Sequence, residues 1–520
     1  MASSPPPPPQ VAALPRSLGV FGGVLLTLSC VTPASSLFIV VPPLLQSQGS
    51  GAVISLLVAA VLSLGVGLCY AELGTLVPSA GGEYSIVGRV LGRPVGWLVF
   101  VISIVSLLVI PPIIALGTAG YLGSVLSLDP AVAGGAVMLL AVAVGVLDIK
   151  SNALITGTFL GLEVLAAGVV TVLGLTHVHQ PVSTLVHAVV PDGQGGTSPF
   201  TAGLLVSGLA VAIFTYNGFG TAVYLSEDLR DPRRSVAQTV LWSLLAGVVV
   251  ITLPVIAICL GVSSPDQLAT GDLVAIVDDW AGTGVGTFVS LCIAAAILNA
   301  VIVMVIQNGR VLYASARDRT WPDPVNRALG TLHPRWGSPW VATLAIGLPG
   351  AVLALTVPID ALLGFTGVVV AVIYLLLGVA ALAARRGRHR LVDAWRMPLW
   401  PAAPVLTTVV LGYTLTQQTG RDLLITLAVV VVGLLYWVLY LRPRSATHWV
   451  LSLPADQSND PGTDPRTDPH DGPHDAPGSD RNDDRDTGWS TAPGAAAFGA
   501  APTATTTTTT TPAAPVRENS

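Results

Sequence analysis

Charge is what this chain has least of. Asp, Glu, Lys and Arg make up 10% of its 520 residues, where soluble domains carry about a quarter. A body built to face water is excluded by that shortage, and lipid is the solvent it implies. Cysteine is scarce as well. Cys30, Cys69, Cys259 and Cys292 all fall inside apolar runs, which makes them small core residues and excludes a disulfide framework or a metal site. Met1 to Gln10 is mostly a proline run without a basic stretch, so no cleaved leader is expected. The chain has no nucleophile elbow, phosphate loop, metalloprotease helix or nucleotide-binding cassette motif. No enzyme, cofactor or nucleic-acid partner is therefore expected, and ATP-driven work would need a separate subunit.

What is present is apolar and periodic. Hydrophobic residues make up 52% of the chain and the mean hydropathy is +0.72. From Pro454 to Ser520 the composition turns to Asp, Pro, Gly, Ala and Thr, and this stretch holds eleven of the 29 acids. The net charge of −5 thus says little about the body. Such a tail cannot bury enough apolar surface to fold, so 454–520 is expected to be disordered and cytoplasmic, as is the proline-rich 1–16. The body carries apolar runs of the ~20-residue length a bilayer requires. They number twelve, at about 17–42, 51–77, 94–122, 130–147, 153–175, 202–224, 236–261, 284–308, 338–357, 359–383, 400–417 and 423–441. With the N-terminus inside, nineteen basic residues fall on the inner face, among them Arg89, Arg93, Arg230, Arg233, Arg317, Arg385 and Arg442. Arg421 alone falls on the outer face. The positive-inside rule then predicts an all-α, multi-pass protein of the cell membrane with both termini cytoplasmic. A longer outer loop is expected over His177 to Phe200, and a short surface helix within the basic inner segment Ala314 to Trp336.

Two spans look interrupted. The first contains Thr32-Pro33-Ala34-Ser35-Ser36-Leu37-Phe38, where proline removes a donor and small hydroxyl residues compete for backbone groups. Taken alone, this is a proline kink; in its functional sense it is a broken helix whose amides around Ser35 and Ser36 can receive a carboxylate. The sixth span contains Phe214-Thr215-Tyr216-Asn217-Gly218-Phe219-Gly220-Thr221-Ala222, an interruption or a site of close packing through small residues. The pair says more than either member. Breaks at corresponding places in two halves point to a transport site. Because they lie five helices apart, the second half enters the membrane from the opposite side, which makes the repeat inverted.

Three further segments carry a family resemblance. Tyr70-Ala71-Glu72-Leu73-Gly74-Thr75-Leu76-Val77-Pro78-Ser79-Ala80-Gly81-Gly82-Glu83-Tyr84 closely resembles the end of the second helix in amino acid–polyamine–organocation (APC) permeases. Leu225-Ser226-Glu227-Asp228-Leu229-Arg230-Asp231-Pro232-Arg233-Arg234 is similar to that family's acidic-then-Asp-Pro-Arg signature, and Arg310 to Asp318 to the segment after its eighth helix. The resemblance covers residues 17–441. It implies a five-plus-five inverted repeat, with helices 1–5 in 17–175 and helices 6–10 in 202–383. Two additional helices would fill 400–441. It also implies a secondary active transporter for amino acids, symporter or antiporter, working by alternating access. Ala34, Ser35 and Ser36 match the loop that receives the substrate carboxylate, and Phe214 an aromatic gate whose backbone neighbours receive the ammonium. Tyr216, Asn217 and Gly218 follow as cavity-lining residues. Departures from the pattern leave substrate and coupling ion open. Pro33 precedes an Ala-Ser-Ser loop in place of the usual glycines, and Gly220 stands where some members carry a gating glutamate. A polyamine or amino-alcohol permease, or a membrane sensor that moves nothing, are the alternatives.

Glu163 sits midway along the fifth span, near where proton-coupled members carry a lysine. An ionised acid there is costly, so it is paired, protonated or turned to a polar cavity. It is either a coupling site for a proton or a structural acid bonded to Asn299 or a carbonyl. Glu72 and Glu83, flanking Gly81-Gly82, are expected to ion-pair with the basic inner loops or to be plain interfacial charge. The same holds for Glu227, Asp228 and Asp231 beside Arg230, Arg233 and Arg234. His177, His179, His187 and Asp192 lack ligand-pair spacing and are expected to be solvated. The partners expected are thus a small amino acid or amine, the lipid bilayer and a proton.

Overall fold

The computed structural model describes residues 18–79, 81–122, 128–147, 149–191, 196–226, 229–386 and 395–449, without the side chains of 149–156. The terminal segments 1–16 and 454–520, with Glu227, Asp228 and Asp192, lie outside the described residues. Among those described, nine helices are long and apolar enough to cross a membrane. Three shorter apolar helices, Pro130–Gly145, Trp340–Thr356 and Ala402–Thr416, occupy three of the other expected spans. At 16, 17 and 15 residues they fall short of the ~20 of an average crossing.

The first span is a helix α1 (Val20–Val31), a break, a π-helical turn at Ser36–Val40, and α2 (Val41–Gln48). There follow α3 (Gly51–Leu76), the short α4 (Gly82–Leu91) and α5 (Arg93–Leu116). Next come α6 (Pro130–Gly145), α7 (Ile149–Thr176) and α8 (Ala202–Thr215). Beyond the second break lie α9 (Pro232–Gly261), α10 (Thr283–Arg317), α11 (Trp340–Thr356), α12 (Ile359–Ala384), α13 (Ala402–Thr416) and α14 (Gly420–Tyr436). In lipid every backbone donor and acceptor must be satisfied within the segment, so apolar runs become helices. Their outer faces keep large apolar side chains exposed, such as Phe21, Val61, Trp242 and Leu427. Inward contacts rely on small residues. A Cβ on Gly174 would stand 2.6 Å from the Ala257 carbonyl, which shows how closely α7 and α9 approach. Helix α9 also lies along α3, and α11 along α6 and α10.

The connections correct and extend the sequence expectations. The basic segment Ala314 to Trp336 holds the expected short helix, at Asp323–Leu329. The segment His177 to Phe200 is more than a loop: β1 (Val189–Pro191) pairs antiparallel with β2 (Thr197–Pro199). The Ser50 amide donates to Val189 O at 3.1 Å, and the Val189 amide donates to Ser50 Oγ at 3.0 Å, pinning the pair to the start of α3. After α14 the chain turns back, and Trp449 is fully buried against Tyr84, Trp97 and Phe100. Arg93 Nη2 fastens it by donating to the carbonyls of His448 (2.8 Å) and Trp449 (2.5 Å).

Candidate functional site

Both interruptions have local causes. Helix α1 ends where Thr32 adopts a left-handed backbone (φ 48°), its amide still donating to Leu28 O at 3.1 Å. Pro33 offers no donor, so the helical ladder cannot continue through it. The Ser36 hydroxyl covers part of the gap by donating to Val31 O at 3.2 Å. Helix α8 ends in a tightened turn, with the Tyr216 amide on Ile213 O (3.2 Å) and the Asn217 amide on Phe214 O (2.9 Å). Gly218 then takes φ 114° and a 3₁₀ turn runs over Phe219–Val223. At Gly218 the two breaks touch. A Cβ there would lie 2.7 Å from Cys30 O and 2.8 Å from Val31 Cα, so glycine is demanded both by the torsion and by the approach.

Beside this contact lies an open-mouthed cavity. The first break contributes Cys30, Val31, Thr32, Ser36 and Val40; the second contributes Phe214, Asn217, Gly218 and Thr221. Helix α5 supplies an apolar wall of Leu107, Ile110, Pro111 and Ile114, and α10 supplies Met304, Gln307 and Asn308. None of these residues is charged. The amides are held in place: Cys30 Sγ donates to Gln307 Oε1 (3.0 Å) and Asn308 Nδ2 to Leu107 O (2.5 Å). Asn217 Oδ1 accepts from the Tyr374 hydroxyl at 2.8 Å. The cavity thus joins backbone and amide groups of the two breaks to an aliphatic wall on α5.

Of the residues singled out from sequence, Ser36, Phe214, Asn217 and Gly218 line this cavity. Ala34 and Ser35 are fully buried and absent from its lining, as is Tyr216, whose hydroxyl bonds Thr252 Oγ1 (2.6 Å) and Leu56 O (3.2 Å). Sequence reasoning passed over Cys30, Thr221, Gln307 and Asn308. The adjacent amides in an otherwise apolar run were a usable signal, because polar side chains at membrane depth face protein or cavity. Glu163 is fully buried, and its Oε2 accepts the Ala34 amide at 3.3 Å. Among the described residues its Oε1 has no hydrogen-bond partner, nor do the Ser35 hydroxyl and the Asn299 amide group. Of the two alternatives for Glu163, the structural one offered a bond to Asn299 or a carbonyl; the bond found is instead to the first break itself.

The two acids flanking Gly81-Gly82 part ways. Glu72 forms a two-pronged pair with Arg385, Nε to Oε1 and Nη2 to Oε2 both at 2.7 Å, and also takes the Met397 amide at 2.9 Å. Glu83 makes no ion pair among the described residues, contrary to expectation. Its oxygens take the hydroxyls of Tyr70 and Ser103, the latter at 3.1 Å.

Comparison with known proteins gives a consistent picture. A family profile described as amino acid permease matches residues 18–439. A branched-chain amino acid permease of Bacillus subtilis is 24% identical over 448 residues, covering 83% of this chain and 94% of its own length. A methylthioribose transporter of the same organism is 21% identical over 457 residues, covering 83% and 95%. Human cationic amino acid transporter 4 is 27% identical over 376 residues, covering 67% of this chain and 55% of that protein.

Proposed function

The chain belongs to the amino acid permease family, and from that premise we propose that it carries a neutral, aliphatic amino acid across the cell membrane by proton-coupled alternating access. The observation that carries this is the cavity where the two broken helices meet, with no charged residue in its lining. The substrate carboxylate would sit at the first break near Ser36, the ammonium at the carbonyls ending α8, and the aliphatic side chain against Leu107, Ile110 and Ile114. Phe214 would close over it. Supporting a neutral side chain, a branched-chain amino acid permease is among the relatives. A dibasic or polyamine substrate would place a second charge where the wall offers none.

The architecture proposed is the one the resemblance implies: twelve spans, the three short helices counted among them, in a five-plus-five inverted repeat with two more helices. Spans 1, 2, 6 and 7 would rock against the rest. Coupling would run through Glu163. Ionised, it holds the Ala34 amide and pins the Pro33–Ser35 turn; a proton weakens that bond and lets the turn receive the substrate carboxylate. Proton and substrate then load together. The test is counterflow in proteoliposomes with a panel of amino acids and amines. Exchange of labelled leucine, isoleucine or valine is expected. Binding without movement of label would mark a sensor, and exchange confined to polyamines or amino alcohols would mark the other permease class.

A further inference from the structure

Beyond the transport reading, on which it builds, the structure carries a feature on the far side of Asn217. The Tyr374 hydroxyl that bonds Asn217 belongs to a ring packed edge-on against Tyr70 (centroids 6.1 Å), and Phe219 touches both, at 5.8 and 5.9 Å. All three rings are essentially without exposure. They form a plug between the cavity and α4, the helix of the arginine-rich face. Past the plug stands Glu83, which receives the Tyr70 hydroxyl on one oxygen and Ser103 on the other.

We propose that Glu83 is the proton-operated latch of this aromatic plug: protonated, it holds Tyr70 in place and the cavity sealed; ionised, it lets the plug part toward the arginine-rich face. The geometry explains why the proton matters. Hydroxyl-bearing residues line the acid: Tyr70 on α3 and Ser103 on α5 bond its two oxygens, and Tyr374 on α12 and Tyr224 just past the second break stand near it. No ion pair reaches Glu83 among the described residues, Arg385 being taken by Glu72. A carboxylate packed there without a cation is poorly compensated, whereas a neutral carboxyl both donates and accepts. Burial pushes its proton affinity above the ordinary carboxylate range, with the Tyr70 and Ser103 hydrogen bonds pulling the other way. The sign follows. An acid whose affinity is raised in the packed state favours that state at low pH, and the preference fades as pH climbs through its titration. The proton leaves to water on the arginine-rich side as the plug opens.

The native thiol of Cys30, which lines the cavity, reports the opening without any transported substrate. With Cys69, Cys259 and Cys292 replaced by alanine, a membrane-impermeant thiol reagent is applied from the arginine-rich face of oriented vesicles across an acid-to-neutral pH series. Glu83→Gln keeps both contacts, its amide nitrogen donating to one hydroxyl where the acid oxygen accepted from it, but cannot ionise, so its labelling profile carries the pH response of the thiol and of Glu163 without that of the latch. Wild type is expected to label faster than Glu83→Gln by a factor that grows with pH. Tyr70→Phe, which keeps the ring and removes the latch's hydroxyl, is expected to label faster than wild type at acid pH. A wild-type-to-Gln ratio that stays constant with pH, or a Tyr70→Phe protein as closed as wild type, overturns the latch. A wild type that moves no amino acid sinks the transport reading and leaves this result to stand on its own.

Discussion

Gly218 shows how much a single position can be asked to do. It supplies φ 114° and admits the backbone of Cys30 and Val31 within the space a Cβ would need. Alanine there would strain the torsion by about 1–3 kcal/mol and push the two breaks apart. Gly218→Ala is therefore expected to insert normally yet lose substrate binding, read as affinity on purified protein at matched membrane levels. Unchanged affinity would remove the contact between the breaks from the account of the site. A leucine would act mainly through this same collision, ahead of any filling of the cavity. Ser35 makes a contrast, since its side chain is buried without a hydrogen-bond partner and does not line the cavity. Ser35→Pro should still abolish binding, because it places a second proline ring in the turn and removes a backbone donor. Binding at wild-type strength in that variant would mean the turn's amides are not used.

At the scale of elements, the apolar runs made the helices legible, and proline, glycine and asparagine made the breaks legible. What stayed hidden were features decided by contacts distant in sequence. Three-residue strands such as Val189–Pro191 have too little periodicity to be seen. Glu72 and Glu83 looked alike because both flank one turn, yet Glu72 meets Arg385 and Glu83 meets a tyrosine. Nor could composition mark Trp449, which follows the last apolar run at the margin of the polar tail. It closes a cluster with Tyr84, Trp97 and Phe100 that ties the chain's return from α14 to α4 and α5. Removing a buried aromatic of this kind costs about 3–5 kcal/mol. Trp449→Ala should lower the melting temperature in detergent and detach the return segment, seen as faster proteolysis after Leu441. A melting temperature equal to wild type would make the tryptophan a passenger.

For the whole molecule the proposal to test is that a proton gradient across the membrane drives the site between the two breaks. The apolar body carries its own fold, so deleting the chain from Asp456 onward should leave insertion and uptake largely intact. A truncated protein that inserts but transports nothing would show the tail to be part of the machine. Within the body, Glu163 is the acid in contact with the first break, through the Ala34 amide. Its second oxygen has no partner, so ionisation leaves a buried charge only half compensated, and a proton removes that cost. If loading requires that proton, substrate movement and proton movement are one event, and a pH gradient can concentrate substrate. Glu163→Gln fixes the neutral form. It should keep exchange of labelled substrate, which needs no net proton flow, and lose accumulation driven by a pH gradient. Both are measured in the same proteoliposomes, with sodium present and absent. Wild-type uptake that needs sodium and ignores the pH gradient, or a Gln variant that still concentrates substrate, would make Glu163 a strut for the broken helix.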